Sequence, residues 1–309
     1  MKKLILAGGS GYLGHVLANY FEDKFNDIVI LSRRAAPARK NIRTVTWNAR
    51  DSGPWIEELE GADVLINLTG KSVDCRYTRK NRAAIYASRL ESTHVLGHAA
   101  QRCASPPKLW INASSATIYE GSYDKDQTES TGIIGNGFSM DVCKKWEATF
   151  DWFILADVRR VAIRTSFVLG SAGGALPVLM RLARAGLGGR QGQGTQYTSW
   201  IHEHDFARAI DWLIANDQAQ GVYNVTAPGA VRNNTFMQHL REGLRMKTGV
   251  PIPAWLLRIG AYIIRTEPEL ILKSRKVYPQ RLLNEGFVFE FTDSKQALGD
   301  LCRIEIKKN

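Results

Sequence analysis

Three glycines at three-residue spacing, Gly8, Gly11 and Gly14, follow the apolar run Leu4-Ile5-Leu6-Ala7. Glycine at each position serves a bound diphosphate differently. Gly8 lets the chain turn sharply off a strand, Gly11 lets the backbone approach the pyrophosphate, and Gly14 lets the following helix pack close. The helix N-terminus then presents unpaired N–H groups and the positive end of its dipole to the phosphates. The glycines are followed by a helical pattern over 15–25 and a second apolar run over 28–31. In that context the spacing implies a dinucleotide site.

The end of the second apolar run selects the dinucleotide. An acidic side chain there would accept from a ribose 2′-hydroxyl and repel a 2′-phosphate. Ser32 stands there instead, followed by Arg33 and Arg34. Their guanidinium groups are planar, always charged and matched to phosphate oxygens, and one could also lie flat against adenine. The expected cofactor is NADP(H).

These residues need elements to hold them. Apolar runs at 4–7, 28–31, 42–47, 63–68, 109–114 and 161–164 read as strands, with amphipathic helical stretches such as 79–103 and 138–155 between them. Strand–helix alternation implies right-handed crossovers and a parallel sheet covered on both faces, an α/β doubly wound fold of Rossmann type. A ligand then sits over the carboxyl ends of the strands. Those ends carry Asn67 to Gly70, Ser114-Ser115 and Thr165-Ser166. After residue 165 the pattern changes to glycine-rich segments (170–174 and 186–194), a helix over 205–216, a strand over 221–225, and an alternating stretch over 286–292. The expected division is a dinucleotide domain over 1–165, to which 205–230 returns, and a smaller α+β substrate or lid domain from 166–204 and 231–309.

The chain has 309 residues, 44% of them hydrophobic, and a net charge of +11. The basic pairs are scattered along it and no stripe interleaves them with aromatics, which argues against a nucleic-acid surface. No apolar run approaches the roughly 20 residues of a membrane span, so no membrane role and a cytoplasmic location are expected. Cys75, Cys103, Cys143 and Cys302 lack paired spacing, so neither a metal cluster nor a disulfide framework is expected. Nothing in the sequence marks the substrate, beyond its being a small molecule, or the oligomeric state.

On these residues the chain resembles the extended short-chain dehydrogenase/reductases, the group that holds sugar-nucleotide epimerases and dehydratases. Gly8-Gly9-Ser10-Gly11-Tyr12-Leu13-Gly14 resembles the group's phosphate loop, Asn67-Leu68-Thr69-Gly70 its fourth-strand end, and Ser114-Ser115-Ala116-Thr117-Ile118-Tyr119 the segment carrying its active-site hydroxyl. More narrowly it is similar to the YfcH-like family, through Arg76-Tyr77-Thr78, Ile85-Tyr86-Ala87-Ser88-Arg89, Leu187-Gly188-Gly189 and Val277-Tyr278-Pro279-Gln280-Arg281-Leu282 with Gly286-Phe287. The resemblance implies that Ser10, Tyr12, Leu13, Asn67, Leu68, Thr69, Gly70, Ser114 and Ser166 join the glycines, Ser32, Arg33 and Arg34 at the cofactor.

One element of the resemblance is missing. Typical members carry a Tyr and, four residues on, a Lys on one helical face. The Lys lowers the phenol's pKa so that it can exchange a proton during hydride transfer. With Trp146-Glu147 as the anchor, those positions fall on Ser139 and Cys143. The resemblance places Ser115 beside the substrate carbonyl, and Tyr119, Asp141, Lys144 or His202 are the candidates to assist it, with Ser115 and Tyr119 foremost. Two readings follow: an epimerase/dehydratase-type or carbonyl-reducing enzyme without the usual dyad, or a protein that holds NADP(H) and senses its redox state without turnover.

Overall fold

In the computed structural model, which describes residues 2–263, 267 and 269–306, the chain opens with β1 (Lys3–Ala7), α1 (Tyr12–Phe21), β2 (Asp27–Ser32) and β3 (Ile42–Thr46). It continues through β4 (Val64–Asn67), α2 (Arg79–Arg102), β5 (Leu109–Ser115), α3 (Phe138–Asp151) and β6 (Arg159–Thr165). Then come β7 (Phe167–Leu169), α4 (Leu176–Leu182), β8 (Tyr197–Thr198), β9 (Trp200–His202), α5 (Glu203–Ala215) and β10 (Gly221–Val225). The last part holds β11 (Val231–Arg232), α6 (Asn233–Gly243), α7 (Ala254–Ile263), α8 (Glu269–Leu272), α9 (Gln280–Asn284) and α10 (Ser294–Ile306).

Seven strands form one parallel sheet in the order β10-β6-β5-β4-β1-β2-β3. Because side chains alternate across a strand, Leu4 and Leu6 of β1 enter the core under α1 and α5, while Ile5 and Ala7 enter the core under α2 and α3. The strand order reverses at β1, which pairs with β2 on one side and β4 on the other. A crevice opens there at the carboxyl ends, where open α/β sheets bind ligands. All six strands read from the first half of the sequence are present, and the seventh returns at Gly221–Val225 beside β6.

A separate core unites Leu169, Leu176, Met180, Trp200, Phe236, Leu240, Leu298 and Leu301, and builds the smaller unit. The C-terminal segment serves both units. Leu282, Phe287 and Phe289, grouped by sequence with the substrate domain, pack instead into the core of the sheet. The stretch 286–292, expected as a strand, joins no ladder and carries a turn at Gly286 and a bend at Glu290. Its N–H groups go elsewhere: the fully buried Asp205 carboxylate accepts from Glu290 N and Phe291 N at 2.8–3.1 Å and from Arg208 at 2.7 Å.

The glycine-rich segments are closely packed rather than open flaps. A Cβ at Gly189 would lie 2.4 Å from the Val250 backbone, and backbone hydrogen bonds lace Gly189, Gly192 and Arg190 to Val250 and Ile252. Asp205 is the fully buried anchor between α5 and the returning C-terminal chain, which also meets His204 through Glu290 and Arg208 and Trp212 through Phe287. Asp205→Ala is therefore expected to lower the unfolding free energy by on the order of 3 kcal/mol in a urea titration, because two backbone donors lose their acceptor. A loss below about 0.5 kcal/mol would show that water replaces the carboxylate there.

Candidate functional site

The glycine loop leaves β1 through Gly8, whose φ of +74° favours glycine and whose Cβ, if present, would lie 2.9 Å from Thr69 Cα. Gly8 N–H donates to Leu31 O at 3.0 Å, which ties the loop to the end of β2. At Gly14 a Cβ would stand 2.1 Å from Gly9 O, so α1 packs directly on the loop. Gly11 is different: the nearest atom to its would-be Cβ is 3.8 Å away, and the space opens into the cleft. Gly11 is also the N-cap of α1 and supplies no side-chain cap. The first N–H groups of the helix are left for a ligand.

Tyr12 and Leu13 line the cleft with the three glycines. The Tyr12 side chain also reaches Glu203 Oε2 at 2.5 Å. Burial, then the Glu203 carboxylate, keep that phenol protonated well above its ordinary range. Its ring is cradled by the 170–174 segment, where a Cβ at Gly170 would fall 1.5 Å from the hydroxyl and one at Gly173 2.5 Å from the ring. These glycines hold the first residue of α1 in place. Ser10 is exposed on the loop and outside the cleft lining.

Ser32, Arg33 and Arg34 follow β2 directly. Ser32 is buried and its Oγ accepts from Arg34 N at 3.2 Å, an arrangement that sets the turn. Both arginine side chains are exposed, and Ser32, Arg33 and Arg34 lie outside the cleft lining. Trp47, which follows β3, is a packing residue, buried edge-on against Trp55 with ring centroids 5.2 Å apart.

At the end of β4, Leu68 and Gly70 line the cleft, whereas Asn67 does not. Asn67 is fully buried, donates to Thr93 Oγ1 at 3.1 Å and Asn112 Oδ1 at 2.8 Å, and accepts from Thr69 N at 3.0 Å. It shapes the strand end from behind. Ser114, Ser115 and Ser166 all line the cleft, which encloses about 520 Å³. The Ser114 hydroxyl donates to Glu147 Oε1 at 2.5 Å. The buried Ser166 Oγ and Thr69 Oγ1 have no hydrogen-bond partner, an arrangement that suits a polar ligand.

Among the proposed reacting groups, Ser115 alone faces the cleft, its Oγ donating to Thr117 Oγ1 at 3.0 Å. Tyr119 does not belong there. It is 1% exposed, and its hydroxyl donates to Asn224 Oδ1 at 2.9 Å and accepts from Arg164 Nη1 at 2.8 Å. Arg164 is in turn paired with Glu147 at 2.7 and 2.9 Å. The network explains the position: a phenol was needed to complete a buried ion pair beneath the sheet's edge. Asp141 binds Tyr86 and Lys145, and Lys144 reaches Asn136 at 3.4 Å, both outside the cleft. His202 is buried, stacked on Phe291 with ring centroids 3.9 Å apart in a second groove between α1, α5 and α10. Tyr20 and, four residues on, Lys24 have the dyad's spacing, but they contact Asp211 and lie away from the cleft.

The far wall holds residues to which the sequence reading gave no role. Tyr77, at the foot of α2, lines the cleft, packs against Phe138 with ring centroids 4.7 Å apart, and interacts with the Ser139 hydroxyl. A phenol thus reaches, from another element, the neighbourhood of the helix position where a tyrosine is missing. Its placement was signalled by Thr78, which caps α2 by accepting from Asn81 N at 3.2 Å. Burial raises the Tyr77 pKa, opposed by its interaction with Ser139. Cys143 is buried and its thiol is pushed up to about 12 by desolvation, so it carries no charge. Lys71 and Arg89 line the same wall, and among the described lining residues there is no Asp, Glu or His.

A parallel sheet with a glycine loop at its switch point and a cleft over the strand ends defines a Rossmann-type protein of the extended short-chain dehydrogenase/reductase kind. Residues 4–226 match the NAD dependent epimerase/dehydratase family and residues 252–301 match a domain of unknown function, DUF1731. The chain belongs to the NAD dependent epimerase/dehydratase family. It is 29% identical over 304 residues to the mouse epimerase family protein SDR39U1, covering 97% of this chain and 99% of that one. It is 31% identical over 301 residues to the epimerase family protein YfhF of Bacillus subtilis, covering 96% and 97%. The crystal structure of human epimerase family protein SDR39U1 (isoform2) with NADPH superposes with a TM-score of 0.86 at 27% identity, over 97% of this chain and 99% of that one. MoeE5 in complex with UDP-glucuronic acid and NAD shares the fold, with a TM-score of 0.79 at 17% identity.

Among the described residues no helix is long and apolar enough to cross a membrane, and no group of three or more His, Cys, Asp or Glu side chains could hold a metal ion. The assignment of Tyr119 to the fold rather than the cleft has a measurable consequence. Tyr119→Phe leaves Asn224 and Arg164 each short of a partner and is expected to cost about 1–3 kcal/mol of stability while dinucleotide affinity stays unchanged. Equal stability with altered affinity would place the phenol at the ligand after all.

Proposed function

We propose that the protein binds NADP(H) at the glycine loop and acts on a carbonyl or alcohol carbon of a small molecule held over Ser115 and Tyr77. The observation that carries this reading is a cleft floored by an uncapped glycine helix and walled by hydroxyls. The NADPH in the human SDR39U1 structure, whose fold this chain matches over nearly its full length, supports the same cofactor. The N–H groups of Tyr12 and Leu13 would face the diphosphate, Arg33 and Arg34 the 2′-phosphate, and Ser166 with the β4 and β5 ends the nicotinamide half. When bound, the nicotinamide supplies or accepts a hydride.

The chain's own groups supply proton exchange and orientation. Ser115 Oγ can donate to a substrate oxygen, since its bond to Thr117 is replaceable. Tyr77 is the stronger acid of the two, and burial keeps it protonated. A protonated phenol donates to a developing alkoxide, so carbonyl reduction is the direction this wall favours. In an epimerisation or dehydration an oxidation of the substrate alcohol by the nicotinamide would precede this reduction, which would then return the hydride. A second reading, a cofactor-holding sensor, is favoured by the uncharged Cys143 at the position where the dyad needs a cation. Tight NADPH binding with silence across a broad carbonyl panel would select it.

Two measurements follow. Equilibrium titration should show NADPH bound about 10–100-fold more tightly than NADH, and replacement of Arg33 and Arg34 by Ala should remove that preference. Equal affinities in the unaltered protein would contradict the assignment. With any carbonyl that is turned over, Tyr77→Phe should lower the rate by about 10²-fold or more, and Ser115→Ala should also reduce it. Because the phenol's pKa is raised, reduction should be level through neutral pH and fall only above the ordinary phenol range near 10. Oxidation of the matching alcohol should rise about tenfold per pH unit. A reduction rate that collapses near pH 7 would assign the proton to another group.

A further inference from the structure

We propose that α7 is an interfacial helix which, with the loop packed beside its start, docks the protein on an anionic lipid bilayer. The inference is independent of the cofactor and of the reaction.

Arg258 is the one charged residue among the ten of α7. A helix that is apolar all round is normally enclosed. This one is not: Trp255, Leu256, Ile259 and Tyr262 are exposed, Trp255 by 62% and Tyr262 by 71%. Residues 255, 259 and 262 are spaced i, i+4 and i+7, so they share one face, with Leu256 beside them and Arg258 at the edge. The patch extends beyond the helix. Residues 186–192 run alongside 250–252, joined by Gly189 N to Val250 O at 3.2 Å, Val250 N to Gly186 O at 2.8 Å and Ile252 N to Arg190 O at 2.9 Å. That places the exposed Leu187 and Val250 next to the start of α7. Single exposed apolar side chains are ordinary, but a contiguous group marks a binding surface.

The charge around the patch selects its occupant. Across 176–194 and 241–263, Lys and Arg number seven and Glu242 is the one acidic residue. Glu242 is already held by Lys295 at 3.1 Å, whereas Arg190, Arg245, Lys247 and Arg258 are exposed and, among the described residues, pair with no carboxylate. A second copy docked isologously would set these cations against their own kind. An anionic bilayer complements both parts of the surface. Headgroup phosphates meet the cations, the acyl boundary takes the apolar face, and Trp and Tyr are the aromatic residues that settle at that depth. The cations come from separate segments rather than one fixed fork, which matches a diffuse layer of headgroups better than the acidic cluster of a protein partner. The sequence expectation of no membrane role concerned a spanning run, and a helix lying in the plane of the bilayer needs none.

The test sediments the full-length protein with vesicles of equal parts phosphatidylglycerol and phosphatidylcholine, and with vesicles of phosphatidylcholine alone. Partition into the anionic vesicles should exceed that into the neutral ones by about tenfold or more and weaken with added salt. Tryptophan emission should shift to the blue on the anionic vesicles, and Trp255→Phe should remove much of that shift. Trp255→Ser with Ile259→Ser should lower partition about tenfold, and Lys247→Glu with Arg258→Glu should lower it through charge alone. All four side chains are exposed, so neither pair of substitutions should change the melting temperature. No partition into anionic vesicles, equal partition into neutral ones, or partition that survives both pairs of substitutions would overturn the proposal. So would a lipid-free dimer that Trp255→Ser with Ile259→Ser disrupts, because the face would then be a contact between copies.

Discussion

Unpaired backbone N–H groups at the start of α1 are the constraint on which the rest depends. A helix end without a side-chain cap requires water or a ligand, and Gly11 leaves open space beside it. Much of the surrounding structure keeps that end in place. Gly14 lets the helix rest on the loop, Gly8 turns the chain toward it, and Tyr12 is locked by Glu203 from α5 and by the glycines after β7. The first helix, the fifth helix and a loop from the smaller unit therefore meet at a single residue.

Buried polar networks fix the other walls. The Glu147 and Arg164 pair, with Ser114 and Tyr119 bonded to it, ties α3 to the ends of β5 and β6. Asn67, Thr93 and Asn112 do the same between β4, α2 and β5. Such networks contribute less net stability than their bonds suggest, because desolvation offsets the attraction, but breaking one partner is expensive. Their value here is positional: they hold Ser115 and the cleft face of α3 where a small molecule can meet them.

Short apolar runs alternating with helical patterning made the parallel sheet legible in the sequence, and glycine spacing made the loop legible, since both are local. For the same reason Leu68, Gly70, Ser114 and Ser166 at the strand ends fall on the cleft, while Ser10, Ser32, Arg33, Arg34, Asn67 and Thr69 lie outside its lining. The catalytic half of the cleft was not legible. Tyr119 occupies a sequence position that resembles the active-site segment, yet the need to satisfy Arg164 and Asn224 draws its hydroxyl into the core. Tyr77 lies 62 residues before Ser139 in the chain, so only the fold brings its phenol there. The stretch 286–292 carries strand-like alternation, but its donors are taken by Asp205 rather than by a neighbouring strand. Long-range polar satisfaction, invisible to periodicity, decided each of these.

The most direct measurement is a crystal structure of the protein with NADPH added. The account predicts the diphosphate against the N-terminal turn of α1, the 2′-phosphate within hydrogen-bond reach of Arg33 or Arg34, and the nicotinamide near Ser115 and Ser166. A cleft without the dinucleotide, or a bound dinucleotide with both guanidinium groups turned away to solvent, would contradict it.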